Sequence, residues 1–125
     1  MKKYILFIIL ISILLVGCTT QSQTIDSKTT TNTNYKEITL VASNWKFTPA
    51  TIEVKKGENI RLKIKSNEGT HGISIPDFNV KTGKIAPGVE KVVAFTANKA
   101  GTFDFRCNVF CGSGHSSMKG RLIVK

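Results

Sequence analysis

Acidic residues and histidines are scarce in this chain of 125 residues. It has 8 Asp and Glu against 18 Lys and Arg, and only 2 histidines. We recognise no paired carboxylates around a pocket, no serine–histidine–acid arrangement and no glycine loop of the kind that binds phosphate. A platform of interleaved aromatic and basic residues is also missing, so nucleic acid is not an expected partner. These absences favour a binding or carrier protein over an enzyme.

Helical periodicity is missing too, because the apolar residues of the C-terminal three quarters of the chain recur with a period of two. Turn-forming residues separate these runs at intervals of about ten residues. The pattern predicts short strands in an all-β antiparallel sandwich or barrel, without a repeat or a second domain. The alternating apolar residues are Ile38, Leu40 and Ala42; Ile60, Leu62 and Ile64; Ile73 and Ile75; Val93 and Phe95; Phe103 and Phe105; and Leu122 and Val124.

The N-terminus carries a targeting pattern. Lys2 and Lys3 precede an apolar run, Tyr4–Val16, that only Ser12 interrupts. The run is shorter than the roughly 20 residues that a transmembrane helix needs, so residues 1–17 are predicted to be a signal peptide. The tetrad that ends at Cys18 resembles the lipobox of bacterial lipoproteins, which implies an acylated Cys18. The alternative is an uncleaved signal anchor, in which Cys18 is an ordinary small residue.

Residues 18–34 read as a lipidated N-terminus followed by a flexible polar linker. From Thr19 to Asn34 the chain is mostly Thr, Ser, Asn, Gln and Lys, and Ile25 is its one large apolar residue. Such a composition cannot bury a core. We therefore expect one folded domain over residues 35–125, outside the cytoplasm and anchored to the cell membrane by lipid.

Four side chains with metal-ligand chemistry fall within twelve residues near the C-terminus: Cys107, Cys111, His115 and Met118. Thiolate, imidazole and thioether groups select copper over cations that prefer oxygen. The cysteine count supports this assignment, because acylation of Cys18 leaves Cys107 and Cys111 as a pair. In an oxidising compartment the same pair could instead form a disulfide, and this is the main alternative.

A fifth ligand candidate is His71, the other histidine of the chain, which is predicted at a strand start. A mononuclear blue copper site needs only one cysteine, whereas two thiolates in a tight loop can bridge two metal ions. His71 and His115 could then each cap one ion. Met118 would be a weak axial ligand, and the carbonyl oxygen of Val109 could complete the second ion. Taken alone, His71 could equally be an ordinary surface or core residue.

The spacing Cys107-x3-Cys111-x3-His115-x2-Met118, with His71 upstream, resembles the binuclear copper A domain of cytochrome c oxidase subunit II and the C-terminal domain of nitrous oxide reductase. The similarity covers residues 38–125. It includes residues 49–57, the turn at 85–88 and the segment 100–103 before the ligand loop. The resemblance implies a cupredoxin-like Greek-key β-sandwich.

The resemblance also implies how the ligands are divided. His71 and Met118 would bind one copper, His115 and the Val109 carbonyl the other, and both sulfurs would bridge the two. Two departures limit the comparison. Val109 stands where many oxidase subunits have a glutamate, which leaves the carbonyl but removes the side chain. The transmembrane hairpin of those subunits is replaced by the lipobox and linker.

Charge constrains the partner. Removing Lys2 and Lys3 with the signal leaves 16 basic against 8 acidic residues, a side-chain charge of +8. A domain this basic would repel a basic cytochrome, so we expect an acidic cytochrome or reductase as redox partner, or attraction to anionic lipid or wall polymer. The alternative is that the lysines are simply solvated surface residues.

The sequence supports two main functions. One is a membrane-tethered carrier that passes single electrons through a binuclear copper centre. The other is a protein that captures or delivers copper with the same ligands and without redox turnover. A third interpretation, the copper subunit of a small terminal oxidase, requires a haem-bearing partner subunit. Trp45 is either an entry point for electrons or a core or edge aromatic residue.

Overall fold

Nine β-strands and two short 3₁₀ turns form the regular structure of residues 34–125, the residues that this computed structural model describes. The predicted signal peptide, Cys18 and almost all of the predicted linker lie outside the described residues. The strands are β1 (Tyr35–Ser43), β2 (Lys46–Thr48), β3 (Thr51–Val54), β4 (Asn59–Ser66), β5 (Ser74–Ile75), β6 (Val80–Lys81), β7 (Glu90–Thr96), β8 (Gly101–Arg106) and β9 (Lys119–Val124). The 3₁₀ turns are Pro76–Phe78 and His115–Ser117.

The strands form two sheets, with the orders β2-β1-β4-β7 and β3-β9-β8-β5-β6. This confirms the predicted all-β sandwich. The antiparallel expectation is wrong in part, since β1 runs parallel to β4 and β3 runs parallel to β9. The chain crosses to the other sheet between these strands and returns in the same direction. Apolar alternation is identical in parallel and antiparallel strands, so the sequence pattern could not show this.

The core comes from the inward-facing residues of both sheets. In β4 the alternating residues Ile60, Leu62 and Ile64 are each at most 1% exposed, as the period of two predicts. Leu40 of β1 and Phe105 of β8 are fully buried as well. Burial of a side chain of this size stabilises the fold by about 1.5–3 kcal/mol. The strand period therefore fixes which face of each sheet turns inward.

The open side of the sandwich, between β7 and β6, is filled by aromatic rings. The ring of Phe78 lies 5.3 Å from that of Phe95 and 4.9 Å from that of Phe103. All three side chains are half-buried, in keeping with their place at an edge. Among residues 34–125, no helix has the length and apolar character needed to cross a membrane.

The two ends of the sandwich differ. At one end, which we call the ligand end, lie the β1–β2 turn, the β4–β5 connection, residues 83–88 and the β8–β9 loop. A hydrogen bond from the Asn67 amide to the Ala42 carbonyl (3.0 Å) ties the β4–β5 connection to the end of β1. At the opposite end, the entry end, Tyr35 pairs with Asn59. The chain therefore enters the domain far from the loop that carries the predicted ligands.

Leu62→Ala should lower the free energy of unfolding by about 2–5 kcal/mol, because it leaves a cavity that the surrounding core fills only in part. The matched control is Val92→Ala on the adjacent strand β7, where the side chain is 49% exposed. We expect that change to stay within about 0.5 kcal/mol of the wild-type value. Denaturant unfolding of the metal-free protein measures both, and equal losses would contradict the assignment of the inner face.

Candidate metal centre

The β8–β9 loop, residues 107–118, is closed at its base by a backbone hydrogen bond. The amide of Cys107 donates to the carbonyl of Met118 at 3.0 Å, one step beyond the last paired residues of the two strands. Within the loop, the amide of His115 donates to Gly112 (3.1 Å) and the amide of Met118 to His115 (3.2 Å). These turns place the side chains of Cys107, Cys111, His115 and Met118 around one small volume.

The two sulfur atoms lie 3.7 Å apart, and both cysteines are free. The Nδ1 atom of His115 is 3.5 Å from the Cys111 sulfur, and the Met118 sulfur is 3.9 Å from it. On the other side, the carbonyl oxygen of Val109 lies 3.1 Å from the sulfur of Cys107. The structure thus brings together every loop residue that the sequence proposed as a ligand.

His71 reaches the same volume from the β4–β5 connection. Its backbone exchanges two hydrogen bonds with Ile85, at 3.1 and 2.8 Å, and its side chain is fully buried. It therefore lies in an isolated bridge before β5, where a strand start was predicted. The Nδ1 atom is 3.9 Å from the Cys107 sulfur.

The tautomer of His71 follows from its second ring nitrogen. Nε2 lies 2.8 Å from the carbonyl oxygen of Glu68, which can only accept a hydrogen bond. We therefore assign the ring proton to Nε2, so that Nδ1 presents a lone pair toward the sulfurs. A hydrogen bond of this kind fixes the tautomer and the ring orientation of a histidine ligand. The ligand atoms of His71, Cys107 and Cys111 all lie within 4.8 Å of one another.

The Cys111 thiol holds its proton more strongly than an ordinary cysteine. Desolvation, reinforced by the adjacent sulfur of Cys107, raises the pKa of Cys111 to about 11. The metal-free site therefore holds Cys111 as a neutral thiol at neutral pH, since a thiolate there would lack a compensating charge. A bound cation supplies that charge and displaces the proton. A metal ion in this site must therefore bind sulfur strongly enough to displace the Cys111 proton.

The donor set fits copper. It consists of two thiol sulfurs, two imidazole nitrogens, one thioether sulfur and one carbonyl oxygen, which are mainly soft or borderline ligands. The cluster with metal-binding geometry in the described part of the chain contains no carboxylate. Magnesium and calcium prefer oxygen ligands, so the composition of the site disfavours them.

The site is shielded unevenly. His71 and Met118 are at most 1% exposed, whereas Cys111 and His115 are half-buried. Phe110 is 81% exposed, and its ring lies 5.7 Å from that of His115. The His115 side of the site is consequently the one nearest to solvent.

Sequence reasoning missed several supporting groups. The Glu68 carbonyl, which orients His71, was not foreseen, although a residue three positions before a histidine in a turn is a reasonable candidate. Asn108, between the cysteines, donates from its side-chain amide to the Thr82 carbonyl at 2.8 Å, while its Oδ1 is buried without a partner. Trp45 lies beside the loop, as its interpretation as an electron entry point requires, but its hydrogen bond was not predicted: the indole N–H donates to the Cys111 carbonyl at 2.8 Å.

Comparison with known proteins gives a consistent result. The family model of the cupredoxin-like domain matches residues 6–124. Cytochrome c oxidase subunit 2 of Thermus thermophilus is 32% identical over 95 residues, which cover 76% of this chain and 70% of that protein. Nitrous-oxide reductase of Cupriavidus necator is 34% identical over 83 residues, or 63% of this chain and only 13% of the reductase.

The fold is shared with solved structures. The periplasmic domain of subunit II of cytochrome oxidase from Bradyrhizobium japonicum superposes with a TM-score of 0.65 at 20% identity. The match covers 71% of this chain and 83% of that domain. At this level of identity the likeness concerns the fold alone.

A thiol-specific oxidant should join Cys107 and Cys111 in the metal-free protein, because their sulfurs already lie 3.7 Å apart. Trypsin releases both in one peptide, residues 107–119, which should then resist alkylation and be lighter by two hydrogens in mass spectrometry. Copper loading before oxidation should leave both cysteines alkylatable after denaturation and metal removal. Full alkylation of the oxidised metal-free protein would show that the two thiols do not meet.

Proposed function

Since the chain belongs to the cupredoxin-like domain family, with homology to cytochrome c oxidase subunit II and nitrous-oxide reductase, we propose that it is an extracytoplasmic copper protein that transfers single electrons through a binuclear copper A centre. The observation that carries this proposal is the pair of sulfurs 3.7 Å apart, with one histidine Nδ1 beside each. A mononuclear site would need only one of these sulfurs.

The division of ligands is taken from the resemblance noted in the sequence. One copper is assigned His71, beside the Cys107 sulfur, and Met118, beside the Cys111 sulfur. The other is assigned the Val109 carbonyl, beside Cys107, and His115, beside Cys111. Each assigned pair thus has one member beside each sulfur. Cys107 and Cys111 would then be shared ligands of both ions.

The chain contributes rigidity and exclusion of water. When bound, the copper pair would supply a one-electron couple shared over two ions. The ligands are held by backbone hydrogen bonds to Ile85 and across the loop base, and His71 is oriented by Glu68. Ligands fixed in this way need little movement when the charge of the site changes. Burial of His71 and Met118 keeps water away from that side of the site.

A second candidate function is copper capture or delivery. The half-buried state of Cys111 and His115 favours it, because an acceptor could reach those ligands. The buried ligands on the other side oppose rapid exchange. A copper subunit of a small terminal oxidase is a third possibility, and stable copurification with a haem-bearing subunit would identify it.

We also propose an acidic redox partner. Lys46 adjoins Trp45 at the ligand end, and Lys84 adjoins Ile85, the backbone partner of His71. Both lysines are exposed, and the chain carries a formal net charge of +10. Opposite charge on the partner would speed association at low salt. The exposed ring of Phe110 offers apolar contact beside His115.

The membrane attachment is a proposal from the sequence. Acylated Cys18 would anchor the protein to the outer face of the cell membrane, residues 18–34 would link it to the domain, and residues 35–125 would carry the copper. Mass spectrometry of the natively exported protein tests the acylation, because the mature chain should begin at Cys18 and carry lipid. A mature chain that keeps residues 1–17 would support the signal-anchor alternative.

Copper added to the reduced full-length protein should give two coppers per chain and a purple mixed-valence species whose electron spin resonance spectrum shows delocalisation over both ions. Copper analysis with absorption and resonance spectra measures this. One copper per chain with a blue spectrum would refute the binuclear assignment, and zinc or a disulfide in the metal-replete native protein would refute copper electron transfer.

Substitution of single ligands should have graded effects. Cys107→Ser and Cys111→Ser should each abolish the purple species, because each removes a bridging sulfur. Met118→Leu should keep both coppers and mainly shift the reduction potential, since a weak axial ligand tunes a centre that other ligands hold together. Loss of both coppers from Met118→Leu would show that this ranking of the ligands is wrong.

Competition with a copper chelator separates the two main functions. An electron carrier should retain its copper during repeated reduction and oxidation, because the buried ligands must move before the metal can leave. A delivery protein should lose copper rapidly under mild competition. The measurement is the rate of copper transfer to the chelator in the reduced and oxidised states, and rapid loss in both states would favour copper handling.

A further inference from the structure

Trp45 lies in the turn between β1 and β2, outside the ligand loop, but its indole contacts that loop. The indole N–H donates a hydrogen bond to the carbonyl oxygen of Cys111 at 2.8 Å. The acceptor belongs to a proposed bridging residue, and the donor comes from the other sheet of the sandwich. The hydrogen bond therefore joins the β8–β9 loop to the β1–β2 turn.

The β8–β9 loop has glycine at the two positions that contact the indole, Gly112 and Gly114. A Cβ at Gly114 would clash with Cγ of the Trp45 indole and lie 2.5 Å from its Cδ2, closer than real atoms approach. The φ of Gly114 is −90°, which any residue can adopt. Backbone conformation does not explain this glycine, whereas contact with the ring does.

The second glycine, Gly112, meets the same ring. A Cβ there would lie 3.2 Å from both Cζ2 and Nε1 of the indole. Its φ of +114° also favours glycine. Both the backbone conformation and the contact with the indole therefore favour glycine at this position. The indole thus packs on the turn from Cys111 to His115, which holds two of the proposed ligands.

Trp45 is 39% exposed, so its ring is not part of the core. A partly exposed ring adds less to stability than a buried one, yet it is fixed here by a hydrogen bond and by close packing on glycine. This argues for a role in holding the loop. The turn that it covers sets the distance of 3.5 Å between the Cys111 sulfur and Nδ1 of His115.

We propose that Trp45 is a positioning residue, which holds the Cys111–His115 turn in its ligand-binding geometry before metal arrives and while the charge of the site changes. The inference rests on the copper site proposed above and assigns a further residue to it. Groups that orient ligands typically affect metal affinity by about 10–100-fold. Loss of the indole should therefore loosen the turn without removing a ligand.

The first test uses the full-length, reduced, metal-free protein. Amide hydrogen exchange of residues 111–118 should become about tenfold faster in Trp45→Leu, which lacks both the hydrogen bond and the ring. Trp45→Phe keeps a ring but no N–H donor and should give a smaller increase, about fivefold, as the loss of one hydrogen bond implies. The matched control is Tyr35→Leu, a half-buried aromatic residue at the other end of β1.

The second test measures copper. Trp45→Leu should retain the full copper stoichiometry but lose copper to a chelator about 10–100 times faster than wild type, with Trp45→Phe between them. Its reduction potential should shift, whereas Tyr35→Leu should leave rate and potential unchanged. Gly114→Ala should reproduce the effect of Trp45→Leu, because the added Cβ displaces the ring.

A double-substitution cycle links the two sides of the contact. If Trp45 and Gly114 act through one interface, the effects of Trp45→Leu and Gly114→Ala on exchange and copper loss should be clearly less than additive. Wild-type exchange and copper retention in both Trp45 variants would overturn the proposal, as would full additivity. The exchange test needs no metal, so it stands even if the spectrum of the wild-type protein refutes the binuclear assignment.

Discussion

The hydrogen bond from the Cys107 amide to the Met118 carbonyl closes the twelve-residue loop on which the candidate site depends. It extends the β8–β9 ladder by one step, directly beyond the pair Arg106 and Lys119. The first and last of the clustered ligand residues are thereby held at the base of the loop. The two residues between them in the ligand spacing, Cys111 and His115, are carried by the turns above it. The register of β8 and β9 therefore also fixes the positions of Cys107 and Met118.

The β4–β5 connection, which carries His71, and the turn from Cys111 to His115 are held in place at the site by different contacts. His71 comes from a connection fixed on Ile85 and Glu68 by backbone atoms, so its position depends little on neighbouring side chains. The turn from Cys111 to His115 is closer to the surface and rests on the indole of Trp45. His71 is thus anchored by the sheet framework, whereas Cys111 and His115 depend on a contact between their loop and the β1–β2 turn. The balance between a retained and an exchangeable metal depends on that contact.

Much of this arrangement could be predicted from the sequence, for identifiable reasons. The period of two marked β1, β4, β8 and β9, because alternation reports directly which face of a strand is buried. The ligand loop could be recognised because its residues are close in the chain and chemically distinctive. Parallel pairing of β1 with β4 could not, since it depends on how the chain crosses between sheets. The hydrogen-bond partner of the Trp45 indole could not be identified either, because a backbone carbonyl is present at every position and this one lies 66 positions away.

The position of Tyr35 at the entry end has a practical consequence. It pairs with Asn59, while the far end of β1 reaches the turn that carries Trp45. A strand of nine residues spans about 25–30 Å. An electrode linker or a carrier protein fused directly ahead of Tyr35 would therefore be attached at the end of the domain remote from the sulfurs. Immobilisation directly at Tyr35 would leave the loop that carries the cysteines open to an approaching molecule.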